Sequence, residues 1–168
     1  VETGAGGAMI DFGLQTKEQS GPLYFVQGTD PHLHANAVPL YRRYLECVNR
    51  LPVRLSFVVH TGDLVIDSSM GTMERARELF SLHEEENKVL QPPLRNVMGN
   101  HDVAGVLHAQ LRGDEPGFGK ALYRERFGPV TYAFRHGAYH FLALDGTQVQ
   151  GRTLAYGLTQ ESADWAIQ

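Results

Sequence analysis

Apolar positions along the chain fall into two kinds of run, short ones typical of buried strands and longer ones with helical spacing. The runs "LYFVQGTD" (residues 23–30), "RLSFVVHTGD" (54–63) and "LRNVMGN" (94–100) predict three strands. Between them, apolar residues recur at helical spacing over 38–51 and more sparsely over 72–90, which predicts two helices. Strands that alternate with helices predict βαβ units and a largely parallel sheet, the α/β class.

The pattern changes in the second half of the chain. A glycine-rich loop over 105–119 leads to a short predicted helix at 121–127. The run "VTYAFRHGAYHFLALDG" (130–146) predicts a hairpin that turns at His136 and Gly137. Thr159 is expected to cap a last helix that runs through Trp165 and stops about two turns in.

Two segments follow from these patterns. Residues 1–22 contain five glycines and little periodicity, so we expect a flexible leader with an edge strand near 8–14. Residues 23–168 are expected to form a single domain, because no linker or internal repeat divides them. The short last helix leads us to expect that this domain is truncated at its C-terminus.

Composition narrows the classes of function. Hydrophobic residues make up 42% and charged residues 20% of the 168 residues, as in an ordinary globular domain, and no apolar run approaches the length of a membrane span. The formal net charge of -4 argues against a broad nucleic-acid-binding surface. A single cysteine, Cys47, excludes an internal disulfide, and we expect it in the core. Localisation and oligomeric state stay open.

Polar side chains follow each of the three predicted strands, in "TDPHLH", "HTGDLVID" and "GNHD". The carboxyl ends of parallel strands meet at one crevice, where ligands bind. We therefore expect five side chains to converge there, namely Asp30, His32, Asp63, Asn100 and His101. Their carboxylate, amide and imidazole donors suit Mn, Fe or Zn more than Ca.

The side chains of "GNHD" and its partner motifs have complementary chemistry. A carboxylate can bridge two cations, an amide oxygen can bind one without adding charge, and an imidazole can donate a proton to a leaving oxygen. A hydrolytic site with two metals roughly 3.5–4 Å apart, a bridging hydroxide and clamped phosphoryl oxygens uses all three.

The ordered motifs Asp30-x-His32, Gly62-Asp63 and Gly99-Asn100-His101-Asp102 resemble the first three metal motifs of the calcineurin-like metallophosphoesterase family. The resemblance extends from about residue 23 to the C-terminus, through "FLALDGT" and "LTQESADWA". It implies a double-sheet α/β sandwich and two divalent or trivalent metal ions at a site that hydrolyses phosphate mono- or diesters.

The resemblance also implies a role for each matching residue. Asp30 and His32 would bind one metal, Asp63 would bridge, and Asn100 would bind the other. His101 would act as the catalytic residue beside the leaving group.

The chain departs from the family pattern in two places. An acid often follows the bridging aspartate by three positions, where this chain has Ile66 and then Asp67. The Gly-His-x-His motif that supplies further metal ligands does not occur before Gln168, so the sequence supplies about half of the site.

Alternatives remain at this stage. The chain could be a truncated or degenerate domain without turnover that acts as a binding or structural module. A P-loop or Rossmann nucleotide binder is disfavoured, because the glycine-rich phosphate fingerprint is missing. Phosphoproteins, nucleotides and phospholipids all stay open as substrates.

Overall fold

A computed structural model describes residues 21–167, so the expected leader with its edge strand lies almost wholly outside the described residues. The first half forms β1 (Phe25–Gly28), α1 (Val38–Asn49), β2 (Phe57–Thr61), α2 (Met73–Asn87) and β3 (Leu94–Val97), with a short 3-10 turn at Ala35–Ala37. The second half forms α3 (Ala121–Phe127), β4 (Tyr132–His136), β5 (Tyr139–Ala143), β6 (Thr147–Gln150), β7 (Thr153–Tyr156) and α4 (Gln160–Ile167).

The three strands predicted in the first half form one parallel sheet in the order β1-β2-β3. Phe25 pairs with Phe57, and Val58 with Leu94, both in parallel register. The α/β class and the parallel sheet are therefore confirmed, and the architecture is compatible with a metallophosphoesterase-type fold.

Side chains of β2 alternate between two covered faces of the sheet, as the period of a strand requires. On one face the ring of His60 lies 5.8 Å from those of Tyr44 in α1 and His83 in α2. On the other, the ring of Phe57 meets those of Phe134 and Phe141 edge to face at 5.1 and 5.0 Å. Helices therefore cover one face, and the hairpin β4-β5 packs on the opposite one.

Helix α2 begins where the sequence predicts and ends slightly earlier. The side chain of Thr72 accepts a hydrogen bond from the backbone nitrogen of Arg75 at 3.1 Å, which caps the first turn. The helix ends at Asn87 and not at Leu90, and a turn at residues 88–89 then leads to the two prolines at 92–93.

Other expectations have mixed outcomes. Helix α3, the hairpin β4-β5 and the cap at Thr159, which accepts from the Ser162 backbone nitrogen at 3.1 Å, are confirmed. The expectation that Cys47 is buried is wrong: α1 buries Tyr41, Leu45 and Val48, and Cys47 lies exposed on the other side. The hairpin β6-β7 was not predicted, because its strands are only four residues long and rich in polar side chains.

Within residues 21–167, no helix combines the length and the apolar character that crossing a bilayer demands.

Candidate metal centre

The loops that follow β1 and β2 are hydrogen-bonded to each other along their length. The backbone nitrogens of Asp30, His32 and Leu33 donate to the carbonyl oxygens of Gly62, Asp63 and Leu64 at 3.2, 3.0 and 3.1 Å. These bonds continue the parallel pairing beyond the strand ends. They hold the first polar motif beside the second, as expected for motifs at the carboxyl ends of neighbouring parallel strands.

Backbone strain is concentrated in the same loops. Among residues 21–167, the non-glycine residues with positive φ are Asp30, His32, Asp63 and Asp67, at 52°, 42°, 49° and 46°. Aspartate and histidine tolerate this region better than most residues, yet such a conformation still costs free energy. The surrounding hydrogen bonds hold the strained backbone in place, which is typical of a functional site.

The loop after β3 is fitted tightly against Asp63. A β-carbon on Gly99 would lie 2.2 Å from both the backbone nitrogen and Oδ1 of Asp63, so only glycine fits there. The backbone nitrogen of His101 donates to Asp63 Oδ1 at 3.0 Å. The other carboxylate oxygen of Asp63, Oδ2, lies 3.7 Å from His32 Nε2.

Asp102 ties two of the loops together from inside the protein. Its carboxylate is fully buried and accepts hydrogen bonds from the backbone nitrogens of Gly99 at 2.8 Å and Val65 at 3.2 Å. Burial raises the pKa of this carboxyl group to about 7, although both hydrogen bonds oppose the rise. Asp102 therefore fixes the loops after β2 and β3 relative to each other.

Three of the predicted side chains converge on one point. His32, Asp63 and His101 each offer a ligand atom, and these atoms all lie within 4.8 Å of one another. Asp30 is adjacent, with Oδ1 at 3.8 Å from His32 Nε2. Asn100 lies in the same loop as His101, where its backbone carbonyl oxygen accepts a hydrogen bond from the Val103 backbone nitrogen at 3.4 Å. A ligand role for the Asn100 side chain stays a prediction.

The donor set fits a cation. The side chain of Asp63 is only 12% exposed, and within residues 21–167 its ion-pair partner is His32, with no lysine or arginine in range. A carboxylate with so little exposure normally has a cation to balance its charge. Carboxylate and imidazole donors together suit a transition metal.

His101 has a carboxylate partner of its own. Its Nδ1 lies 2.8 Å from Asp67 Oδ1, and the longer contact of 3.3 Å joins it to the Asp67 backbone nitrogen. Donation by the Asp67 backbone nitrogen at 3.3 Å would need an unprotonated Nδ1, so we assign the proton to Nδ1 on the shorter contact with the carboxylate, which leaves Nε2 outside both contacts. This contact places Asp67 beside the site, although Asp67 stands one position later than the acid of the resembled family.

Comparison with known proteins gives distant relatives. No family model matches the chain. It is 26% identical over 170 aligned positions to the serine/threonine-protein phosphatase CPPED1 of Rattus norvegicus, and that alignment covers 90% of this chain and 52% of the relative. It is 25% identical to the protein of the same name from Bos taurus, with 90% and 51% covered.

The chain thus spans about half the length of the curated relatives it matches. The similarity to phosphatases agrees with the motif resemblance and supports phosphoesterase chemistry in general.

Proposed function

We propose that the chain carries part of the active site of a metal-dependent hydrolase of phosphate mono- or diesters. The observation that supports this most directly is the convergence of His32, Asp63 and His101 within 4.8 Å, at the carboxyl ends of parallel strands. The distant similarity to two phosphatases supports the same class of reaction.

In this proposal the centre holds two divalent or trivalent ions of the Mn, Fe or Zn type. Asp30 and His32 would hold one ion, Asn100 would hold the other, and Asp63 would serve both. The hydrogen bond from the His101 backbone to Asp63 Oδ1 fixes the orientation of the carboxylate that would hold the ions. The remaining coordination positions are open to water, substrate or further protein ligands.

The bound ions would polarise the phosphoryl group and lower the pKa of a bound water. The chain's own residues supply the rest. His101 is the proposed catalytic residue: in its doubly protonated form it would give the Nε2 proton to the leaving oxygen and keep the Nδ1 proton beside Asp67. Asp67 is a positioning residue, because its contact with Nδ1 at 2.8 Å holds the imidazole ring in one orientation and one tautomer.

The experiment measures metal content and hydrolysis of an aryl phosphate with added Mn²⁺ on the same preparations. We expect the parent protein to retain metal and to hydrolyse the ester in a metal-dependent way. The variant Asp63→Asn should lose both properties. Asp114→Asn is the matched control, because it removes a carboxylate from an exposed loop outside the site.

Metal retention without hydrolysis would favour the non-catalytic alternative. Equal metal retention in the parent protein and Asp63→Asn would contradict the proposed site.

A further inference from the structure

A cavity of about 270 Å³ opens between the loop after β1 and helix α1. Asp30 and Pro31 form its rim, and Leu40, which is 72% exposed, marks its mouth. Its inner walls include the rings of Tyr41, Tyr44 and His60. The proposed roles of the metal centre make no use of this space.

The two tyrosine hydroxyls of these walls are already hydrogen-bonded. The hydroxyl of Tyr41 donates to Asn87 Oδ1 at 2.8 Å, and the hydroxyl of Tyr44 is hydrogen-bonded to His60 Nε2 at 3.1 Å. Of the residues from 21 to 167, no lysine or arginine lines the cavity. It therefore offers ring faces and aliphatic carbon, which suit an apolar group and not a phosphate.

The cavity and the candidate metal centre share Asp30. Asp30 Oδ1 lies 3.8 Å from His32 Nε2, and the ring of His32 lies 4.7 Å from that of His101. A single imidazole thus separates the rim of the cavity from the proposed proton donor. The two spaces therefore meet at Asp30.

We infer that this cavity receives the aromatic ring of a phosphate ester whose phosphate is bound at the metal centre, an inference that rests on the proposed function. Its size fits, because a protein cavity of about 150 Å³ holds benzene. Its walls favour an aromatic ring, because offset and edge-to-face contacts between rings add to the gain from burial. The aliphatic carbon of a phosphoserine would leave most of this space unfilled.

The test compares two inhibitors that share a phosphonate group, phenylphosphonate and methylphosphonate, in the Mn²⁺-loaded protein. Neither has a leaving group that hydrolysis could release, so intrinsic reactivity does not enter. Burial of roughly 60 Å² of ring surface should make phenylphosphonate bind about tenfold more tightly.

Two variants probe the cavity itself. Leu40→Glu places a charge at the exposed mouth, and Ala37→Leu fills space from another lining position. Both should bring the ratio of the two affinities close to one without changing metal content. Leu51→Glu is the matched control, because Leu51 is 42% exposed and lies outside the cavity lining, and it should leave the ratio unchanged.

Equal affinities in the parent protein, or a ratio that neither cavity variant changes, would overturn the inference and leave the proposed function intact. Tighter competition by a phosphoserine peptide than by phenylphosphonate would overturn the aromatic assignment.

A titration of phenol into metal-free protein, followed by NMR on the Leu40 methyl groups, tests whether the cavity binds a ring independently of metal and activity. If phenol shifts these signals in a protein that neither retains metal nor hydrolyses esters, then the proposed function and the substrate assignment both fail, and a ring-binding cavity remains.

Discussion

Replacement of Gly99 by alanine should disable the candidate centre through a single methyl group. The added carbon would lie 2.2 Å from the backbone nitrogen and from Oδ1 of Asp63, whereas ordinary contacts begin near 3.4 Å. The carboxylate could rotate away, but the backbone nitrogen cannot. One of the two loops must therefore move by about 1.2 Å, the difference between these two distances.

The cost has two components. Such overpacking typically costs about 1–3 kcal/mol of unfolding free energy. Movement of Asp63 also weakens its hydrogen bond with the His101 backbone nitrogen, which is worth about 1 kcal/mol. Because that contact orients a proposed metal ligand, we expect metal affinity to fall by roughly 10–100-fold.

Chemical denaturation and metal titration measure the two effects on the same sample. Gly146→Ala is the matched control, because a β-carbon there meets no atom within 4 Å and Gly146 has no positive φ. It should leave stability and metal affinity nearly unchanged. A Gly99→Ala protein with the stability and metal affinity of the parent would refute the described packing of the loop after β3 against Asp63.

Three further predictions address catalysis, acid stability and local structure. His101→Ala should lower turnover by roughly 10²–10⁴ with metal content nearly unchanged, whereas Asp63→Ala should remove metal; equal metal loss in both would make His101 a ligand. Burial lowers the pKa of His83 to about 3, below the unfolded value near 6.5, so the native protein keeps this ring neutral while the unfolded chain gains a proton as the pH falls. The unfolding free energy is therefore unaffected by His83 above pH 6.5, and protonation of His83 in the unfolded chain should lower it by about 2 kcal/mol at pH 5. His83→Leu should reduce this loss in denaturation curves, although buried His60 still contributes, while His140→Leu, at an exposed site, should not, and an equal slope in both would contradict the buried environment. Thr72→Ala should cost about 1 kcal/mol of unfolding free energy through loss of the helix cap, and an unchanged denaturation midpoint would exclude the cap.

Much of the fold could be predicted from the sequence where local and tertiary preferences agree. The run around β2 is apolar because both faces of the sheet are covered there, while β1 and β3 are more exposed, and turn residues or prolines mark the strand ends. Cys47 and the hairpin β6-β7 show where this fails. An apolar cysteine can lie on the exposed side of a helix, and two short polar strands pair only because a tight turn brings them together.

The candidate site was partly predictable for a similar reason. Asp30, His32 and Asp63 come together because β1 and β2 are parallel neighbours, so their carboxyl ends lie side by side. The contact between Asp67 and His101 could not be predicted from the sequence, because Asp67 has a positive φ that no spacing rule reveals. The cavity was equally hidden: Tyr44 looks like an ordinary helix residue until the fold places it over His60.

Anomalous X-ray scattering from crystals soaked with Zn²⁺ tests the central claim most directly. The proposal predicts two peaks roughly 3.5–4 Å apart, with an oxygen of Asp63 near both. His32 nitrogen should lie about 2.0–2.1 Å from one of them. A well-ordered crystal with no peak at Asp63, or with peaks only at other surfaces, would contradict the metal centre on which the proposed function rests.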